Sequence, residues 1–422
     1  MRRHAFEIRS KFMTTCLFGM ALFSSIQASH ADGTINITSN NAQEFKGWGL
    51  FPAPYDRQTP TYNDGSVGWG DATWLPSSGT TSTPVIDTVT DLGFDIARVY
   101  MTPTIAKTDN TLDAARMQDL KDHLTVLKNK GISKYMFSNW TPPAHMKLPD
   151  RVRYGIYQGR RQYLDPAYAD GTGYDYADFM VAVLNNLKNS GFTAPMAISI
   201  QNEPDVAHGY DGCIWGDNDS QKQSYRNVVK QLRSKLNANG FSSVAIIGPE
   251  HAGLAGIEEI LGTASSSGFS QMNSDTTFRD ALGGFAFHTY YTAGNINVLN
   301  NAMAFYGKDR WMTEYSTNSG IRGELRTDSG NAQLDWAFNN VRRMAGDIVD
   351  FKVNYWFFWR GWHSSGQGYE QDLVYDGPNK MKSYYVFQKL WKTVRPGWRV
   401  KKVSDTEPDL RSDNQGLFDN NS

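Results

Sequence analysis

The stretch "MAISIQNEP", residues 196–204, is an apolar run that ends in an amide, a carboxylate and a proline. Asn202 and Glu203 are costly to bury without partners. A strand that stops on them ends at water or at a site that does chemistry. The same grammar recurs along the chain: "KGWGLFP" (46–52), "DIARVYM" (95–101), "KYMFSNW" (134–140), "VAIIGPE" (244–250), "GGFAFHTY" (283–290), "DRWMTEYS" (309–316) and "NYWFFWRGW" (354–362). Runs of seven to nine residues suit strands.

Helical patterns fill the gaps between these runs. Thr83-Pro84 reads as an N-cap followed by proline at the first helical position, with Gly93 beyond the end. Met117, Leu120, Leu124 and Leu127 step by three and four, with Gly131 beyond. Ser220 and Gln223 form a capping box, and Tyr225, Val228, Val229, Leu232 and Leu236 make one apolar face. Leu334, Phe338 and Val341 predict another such face before Gly346, and Met381, Tyr385, Phe387 and Leu390 a last one. Strand and helix alternating eight times predict parallel strands joined by crossovers, an α/β chain folded as a (β/α)8 TIM barrel over residues 46–400. A doubly wound open sheet is the rival, but no glycine-rich phosphate loop follows the first run.

The first 31 residues differ from the rest. Arg2, Arg3, Arg9 and Lys11 precede the largely apolar stretch 12–26, and Ser29 and Ala31 suit a cut after Ala31. Residues 1–31 are therefore expected to be a secretory signal and the mature protein to be secreted, extracellular or periplasmic. Of the two cysteines, Cys16 lies in that segment and leaves Cys213 alone, so no disulfide framework is expected. A formal net charge of −1 gives no footprint for nucleic acid, and no later segment has the length and apolarity of a membrane span. The 12 Trp, 21 Tyr and 22 Phe supply a core and rings able to stack on sugars. Many lie in the segments 53–79 and 153–174, which would crown the C-terminal face of a barrel.

On that face, Glu203 ends the fourth strand and Glu314 the seventh. Two carboxyl groups across one pocket are what glycoside hydrolysis requires, one as acid and one as nucleophile. Glu250, ending the fifth strand, is a third carboxylate and a decoy for either role. Arg98 on the second strand can hydrogen-bond a carboxylate and keep it ionised. Trp140 and Trp359 can floor a sugar subsite, with Trp356 the alternative to Trp359 because strand alternation decides which ring faces the axis. His288 and Tyr290, two apart, share a face beside the Glu314 strand, where His288 is expected to orient Glu314. No His-Glu-x-x-His motif, cysteine cluster or nucleophile elbow is present, so neither metal nor cofactor is expected.

With these residues placed, the chain resembles the retaining glycosidases that carry Asn-Glu on the fourth barrel strand, and more narrowly glycoside hydrolase family 30. The resemblance spans roughly residues 34–400 and rests on "QNEPD" (201–205), "WTPPAHMK" (140–147), "WMTEYS" (311–316) and "VRPGW" (394–398). It implies Glu203 as acid/base, Glu314 as nucleophile and Asn202 as donor to the sugar 2-hydroxyl. It also supports Arg98, Trp140 and Tyr290 as subsite residues. "WMTE" and "VRPG" look most like the bacterial xylanase branch, and endo-cleavage of xylan-type hemicellulose is expected, by a chain expected to be a monomer. Relatives that cut β-1,6-glucan, β-1,6-galactan or glucosylceramide keep those substrates open, and a non-catalytic carbohydrate-binding barrel is the reading from another class.

The chain departs from that branch at "RGWHSSGQGYEQD" (360–372), where a reader of glucuronic acid branches carries basic and aromatic residues; Arg360 could serve, but the pattern is not matched. The family also packs a β-sandwich beside its barrel. Here residues 32–45, with "TINITSN" at 34–40, would supply its first strand, and the polar tail 401–422 a truncated start of the remainder.

Overall fold

The computed structural model describes residues 36–37, 43–55, 75, 83–148, 156–157, 160–206, 211–291, 295–316, 332–362, 371–375, 377–400 and 403–404. The expected secretory signal and most of the aromatic segment after the first strand lie outside the described residues. Contacts divide the chain into two units. In the smaller, formed by residues 1–38 and 403–422, Asn36–Ile37 pairs antiparallel with Val403–Ser404.

The larger unit is a closed barrel of eight strands. These are β1 (Gly47–Phe51), β2 (Ile96–Tyr100), β3 (Lys134–Ser138), β4 (Ala197–Ser199), β5 (Ala245–Gly253), β6 (Gly284–Tyr291), β7 (Asp309–Glu314) and β8 (Tyr355–Trp359). All pair in parallel, and β8 closes onto β1 from Tyr355↔Gly47 to Trp359↔Phe51. Each apolar run of the sequence thus holds one strand. The run at 196–204 is strand only over Ala197–Ser199, so Asn202 and Glu203 stand beyond its end.

Side chains fill the interior. Ile96, Met136, Ala197, Ile247, Ala286, Trp311, Tyr355 and Phe357 form one buried cluster. Trp311 and Tyr355 stack with ring centroids 3.7 Å apart. Gly49 makes room there, because a Cβ at that position would lie 1.9 Å from Cδ1 of Phe357.

Among the described residues the main helix after each strand is, in order, α1 (Pro84–Thr90), α2 (Ala114–Asn129), α3 (Tyr176–Asn189), α4 (Asp219–Ala238), α5 (Thr276–Ala281), α6 (Ile296–Phe305), α7 (Ala332–Val349) and α8 (Lys382–Thr393). Two short additional helices, Ile257–Leu261 and Ser270–Ser274, precede α5. Thr83 caps α1 through Ile86 N–H, with Pro84 at its first position, as the sequence predicts.

Three local expectations are corrected. The N-cap of α4 is Asn218, whose side chain accepts from Gln221 N–H, so the helix starts before the predicted Ser220–Gln223 box. On α7, Leu334 and Phe338 are exposed, while Gln333, Trp336, Ala337, Asn340, Met344 and Asp347 are buried. That stripe keeps the helical spacing but follows Trp336, which is driven inward against Phe358. On α8, Tyr384 and Trp391 take the inward places with Phe387, and Tyr385 is exposed.

The "VRPGW" motif lies against the N-terminal ends of the strands. Val394 C=O accepts from Trp48 Nε1 at 2.6 Å, and Arg395 pairs with Asp95 at 2.5 Å. Phe45 N–H donates to Trp398 C=O, and Gly397 N–H to Phe45 C=O. Among the described residues no helix is long and apolar enough to cross a membrane.

Candidate active site

Strand alternation carries side chains up the barrel axis to its C-terminal mouth. Above interior Ile96 stands Arg98, above Met136 stands Ser138, and above Ala286 stand His288 and then Tyr290. Alternation alone would not bring Glu314 and Glu250 into this group. From interior Trp311 it aims Thr313 inward and Glu314 toward the helices. The pairing of β6 with β7 shifts here, from Phe287↔Met312 to His288↔Glu314, so Thr313 and Glu314 face one residue. Such a bulge re-aims the next side chain, and Glu314 joins the mouth.

Strand β5 shifts likewise between Pro249↔Ala286 and His251↔Phe287. Glu250 is the extra residue there, with φ +61°. Glu203 has φ +48°. A left-handed backbone at a non-glycine residue costs about 1–3 kcal/mol and persists where the surroundings fix it. The fixing contact is mutual, because Glu203 N–H donates to Glu250 C=O at 2.9 Å.

Arg98 is the hub of the site. Its Nη1 lies 2.5 Å from Glu314 Oε2, and its Nη2 lies 2.6 Å from Asn202 Oδ1, 3.0 Å from Glu250 Oε1 and 3.1 Å from Ser138 Oγ. Ser138 Oγ donates to the other Glu250 oxygen at 2.9 Å. Because Asn202 Oδ1 accepts from Arg98, its Nδ2 is the group left to donate. Asn202 N–H is anchored on Asn139 C=O at 2.6 Å. Tyr290 Oη donates to Glu314 Oε1 at 3.1 Å.

His288 does not touch Glu314 as expected. Its Nδ1 lies 2.8 Å from Glu203 Oε1, and its Nε2 lies 3.9 Å from Glu250 Oε1. Sharing a face with Tyr290 sends the two side chains to different carboxylates, because Tyr290 stands one step higher and its ring reaches β7. The three groups remain close: ligand-type atoms of Glu203, His288 and Glu314 all lie within 4.8 Å of one another.

The charges follow from these neighbours. Burial pushes the Glu250 carboxyl up, but Arg98 and His288 outweigh it and hold the group down at about 2. Burial pushes the His288 imidazole down, but Glu314, Glu203 and Glu250 carry it up to about 9. Burial, reinforced by Glu314 and Glu203, raises the Tyr290 phenol well above its usual value. The mouth therefore holds two cations, Arg98 and His288, among three carboxyl groups. The Glu203–His288–Glu314 trio is the one group of three metal-ligand side chains so placed among the described residues. A metal ion there would have to displace the His288 proton and face Arg98 2.5 Å from its Glu314 ligand.

Trp140 and Trp359 meet at this hub rather than on an open floor. The Arg98 guanidinium lies 4.6 Å above the Trp140 ring and 5.9 Å from that of Trp359. The two tryptophans are only 3% and 5% exposed. Of the eighth-strand pair, Trp359 faces the mouth. Trp356 points to the helices, where its Nε1 donates to Asp347 at 2.9 Å. Arg360 pairs through Nε with Asp372 Oδ1 at 2.5 Å, both side chains buried. Ser138 and Glu250 complete the hub. Ser138 was legible from its spacing of two beyond Met136; the inward aim of Glu250 comes from a bulge that no residue pattern marks.

No protein-family model and no curated protein sequence matches the chain. Solved structures do. The family 30 subfamily 8 xylanase Xyn30A of Clostridium acetobutylicum is 21% identical, with a TM-score of 0.63 over 88% of this chain and 78% of that one. The catalytic domain of xylanase C from Talaromyces cellulolyticus is 18% identical, with a TM-score of 0.62 over 89% and 84%. The endo-β1,6-glucanase BT3312 is 19% identical, with a TM-score of 0.60 over 91% and 83%. The chain has the (β/α)8 fold of the glycoside hydrolase family 30 structures.

Proposed function

We propose that the protein is a secreted retaining β-glycosidase that hydrolyses a polysaccharide backbone by double displacement, endo-acting on xylan-type hemicellulose. The observation that carries this reading is the approach of Glu203 and Glu314, with one carboxyl oxygen of each within 4.8 Å of the other. Retaining enzymes hold the pair about 5–5.5 Å apart, whereas inverting enzymes need about 6.5–9.5 Å to admit a water.

Glu314 is the nucleophile. Arg98 and Tyr290 each bind one of its oxygens, which orients the carboxylate. Glu203 is the acid, protonating the departing oxygen while Glu314 attacks the anomeric carbon. Glu203 then takes a proton from water, whose oxygen displaces Glu314 from the glycosyl-enzyme. Asn202, turned by Arg98, offers Nδ2–H to the sugar 2-hydroxyl. The count of charges supports these roles. With Glu203 protonated and Glu314 ionised, Arg98 and His288 balance Glu314 and Glu250. In the glycosyl-enzyme, Glu203 is the anion, Glu314 is an ester, and the balance is unchanged.

Xylanases and an endo-β1,6-glucanase both share the fold, so the test presents glucuronoxylan, arabinoxylan, β-1,6-glucan, β-1,6-galactan and glucosylceramide, with Glu314→Gln as control. Oligosaccharides from a xylan, β-configured when first released and absent with the variant, are expected. Release from another polymer alone would move the substrate. No product from any would favour a binding protein. Arg360, neutralised by Asp372, is not available as a branch reader, so similar cleavage of both xylans is expected.

A further inference from the structure

We propose that Glu250 is a positioning residue of this site: a permanent anion that holds Arg98 between Glu314 and Asn202 and, through His288, sets the proton of Glu203. The inference rests on the reading of Glu203 and Glu314 as the reacting pair. Glu250 itself is fully buried. It therefore acts through others.

Three observations carry the role. First, Glu250 is placed at a cost. It is the extra residue of the β5 bulge and has a left-handed backbone, without which alternation would aim it at the helices. Second, its two oxygens are divided. Oε1 takes Arg98 Nη2 at 3.0 Å and faces His288 Nε2 at 3.9 Å, while Oε2 takes Ser138 Oγ at 2.9 Å. One oxygen thus spans both cations of the mouth. Third, those cations divide the reacting pair, Arg98 to Glu314 and His288 to Glu203.

The groups facing Glu250 leave it no other assignment. Arg98 comes from β2, Ser138 from β3, Ser199 from β4 and His288 from β6, and each favours its anion or donates to it. From α4, Tyr225 faces it with a phenol that burial and the Glu250 charge raise well above the usual value, so it stays neutral. Glu203 and Glu314 exchange one negative charge during the cycle while Glu250 keeps its own. Its removal would leave one cation in excess. That excess discharges His288 and draws the proton off Glu203 at a lower pH.

The test compares the full chain with Glu250→Gln, which keeps shape and removes charge, and Glu250→Asp, which keeps charge and withdraws it by one methylene. The first readout is the titration of His288 by NMR of 13C-labelled histidine, the signal assigned by its loss in His288→Gln. The expected result is a His288 midpoint lower by about one pH unit or more in Glu250→Gln and by less in Glu250→Asp. An unchanged midpoint in a folded variant overturns the proposal, and Glu250→Asp decides it if Glu250→Gln does not fold.

The second readout is the pH profile of kcat/KM on aryl β-glycosides of graded leaving group. The basic limb should move to lower pH, and the loss should grow at least tenfold from activated to unactivated leaving groups. A uniform loss with an unmoved limb would mean that Glu250 only supports the fold. If the wild-type protein cleaves no glycoside, the functional reading fails, while the histidine titration still decides whether Glu250 holds the two cations.

Discussion

Arg98 and Glu314, 216 residues apart, meet through Nη1 and Oε2 at 2.5 Å with both side chains buried. The same guanidinium also binds Asn202, Glu250 and Ser138 and rests on Trp140. No smaller cation can span these partners, because a lysine offers a point charge where arginine offers a planar fork. Arg98→Lys is expected to fold and to lose about 100-fold or more in kcat, as when an oriented donor to reacting charge is removed. Arg98→Ala should also lose about 3–5 kcal/mol of stability, because it leaves carboxylates buried without their cation. Denaturant midpoints and steady-state rates on the polymer identified above check both. Wild-type kcat in Arg98→Lys would remove Arg98 from the reaction.

The two carboxylates should separate by chemical rescue. In Glu203→Ala, an aryl glycoside with a good leaving group can still form the glycosyl-enzyme on Glu314. Azide then enters from the face that water would use, giving the β-glycosyl azide. In Glu314→Ala no ester forms, and azide displaces the leaving group directly to give the α-azide. Proton NMR of the products reads the configuration. The same anomer from both variants would contradict the assignment of roles.

Much of this site was written in the sequence, and the part that was not has a physical reason. Apolar runs show where strands pass, and a period of two shows that Arg98, His288 and Tyr290 share the interior with Ile96 and Ala286. The period cannot show where it breaks. Bulges at Thr313 and Glu250 decide that two of the three carboxylates face the axis, and they arise from pairing across strands. The α7 stripe failed for a related reason. Leu334 and Phe338 are apolar enough to face inward, but Trp336 claims the space against Phe358, and packing outranks hydropathy. The tryptophans were placed at the mouth, but their burial against Arg98 depends on three strands at once.

Stability should carry the signature of the buried charges. His288 is raised in the folded state, from 6.5 to about 9, so its contribution is complete below pH 6.5 and is lost as pH rises through 9. Glu250 is lowered from 4.5 to about 2, so its contribution is complete above pH 4.5 and is lost as pH falls through 2. Both are present together between pH 4.5 and 6.5. Unfolding free energy, measured in urea across pH 3–10, should fall on the alkaline side between 6.5 and 9. His288→Gln should flatten that alkaline fall while leaving the acid limb in place. An alkaline slope equal in the two proteins would show that His288 is not charged in the folded state.

The barrel interior offers a test independent of chemistry. Gly49 lies under the Phe357 ring, where a Cβ would come within 1.9 Å of Cδ1. Phe357 cannot move far, because it packs with Trp311 in the interior cluster. Gly49→Ala should therefore destabilise by about 1–3 kcal/mol, the cost of overpacking a filled core. Phe357→Leu alone should also destabilise, by leaving space. The double variant should be more stable than the sum of the two losses predicts, because the added methyl occupies part of the vacated ring volume. Urea midpoints for the four proteins give this coupling directly. Strict additivity would mean that the glycine is required for some reason other than the ring above it.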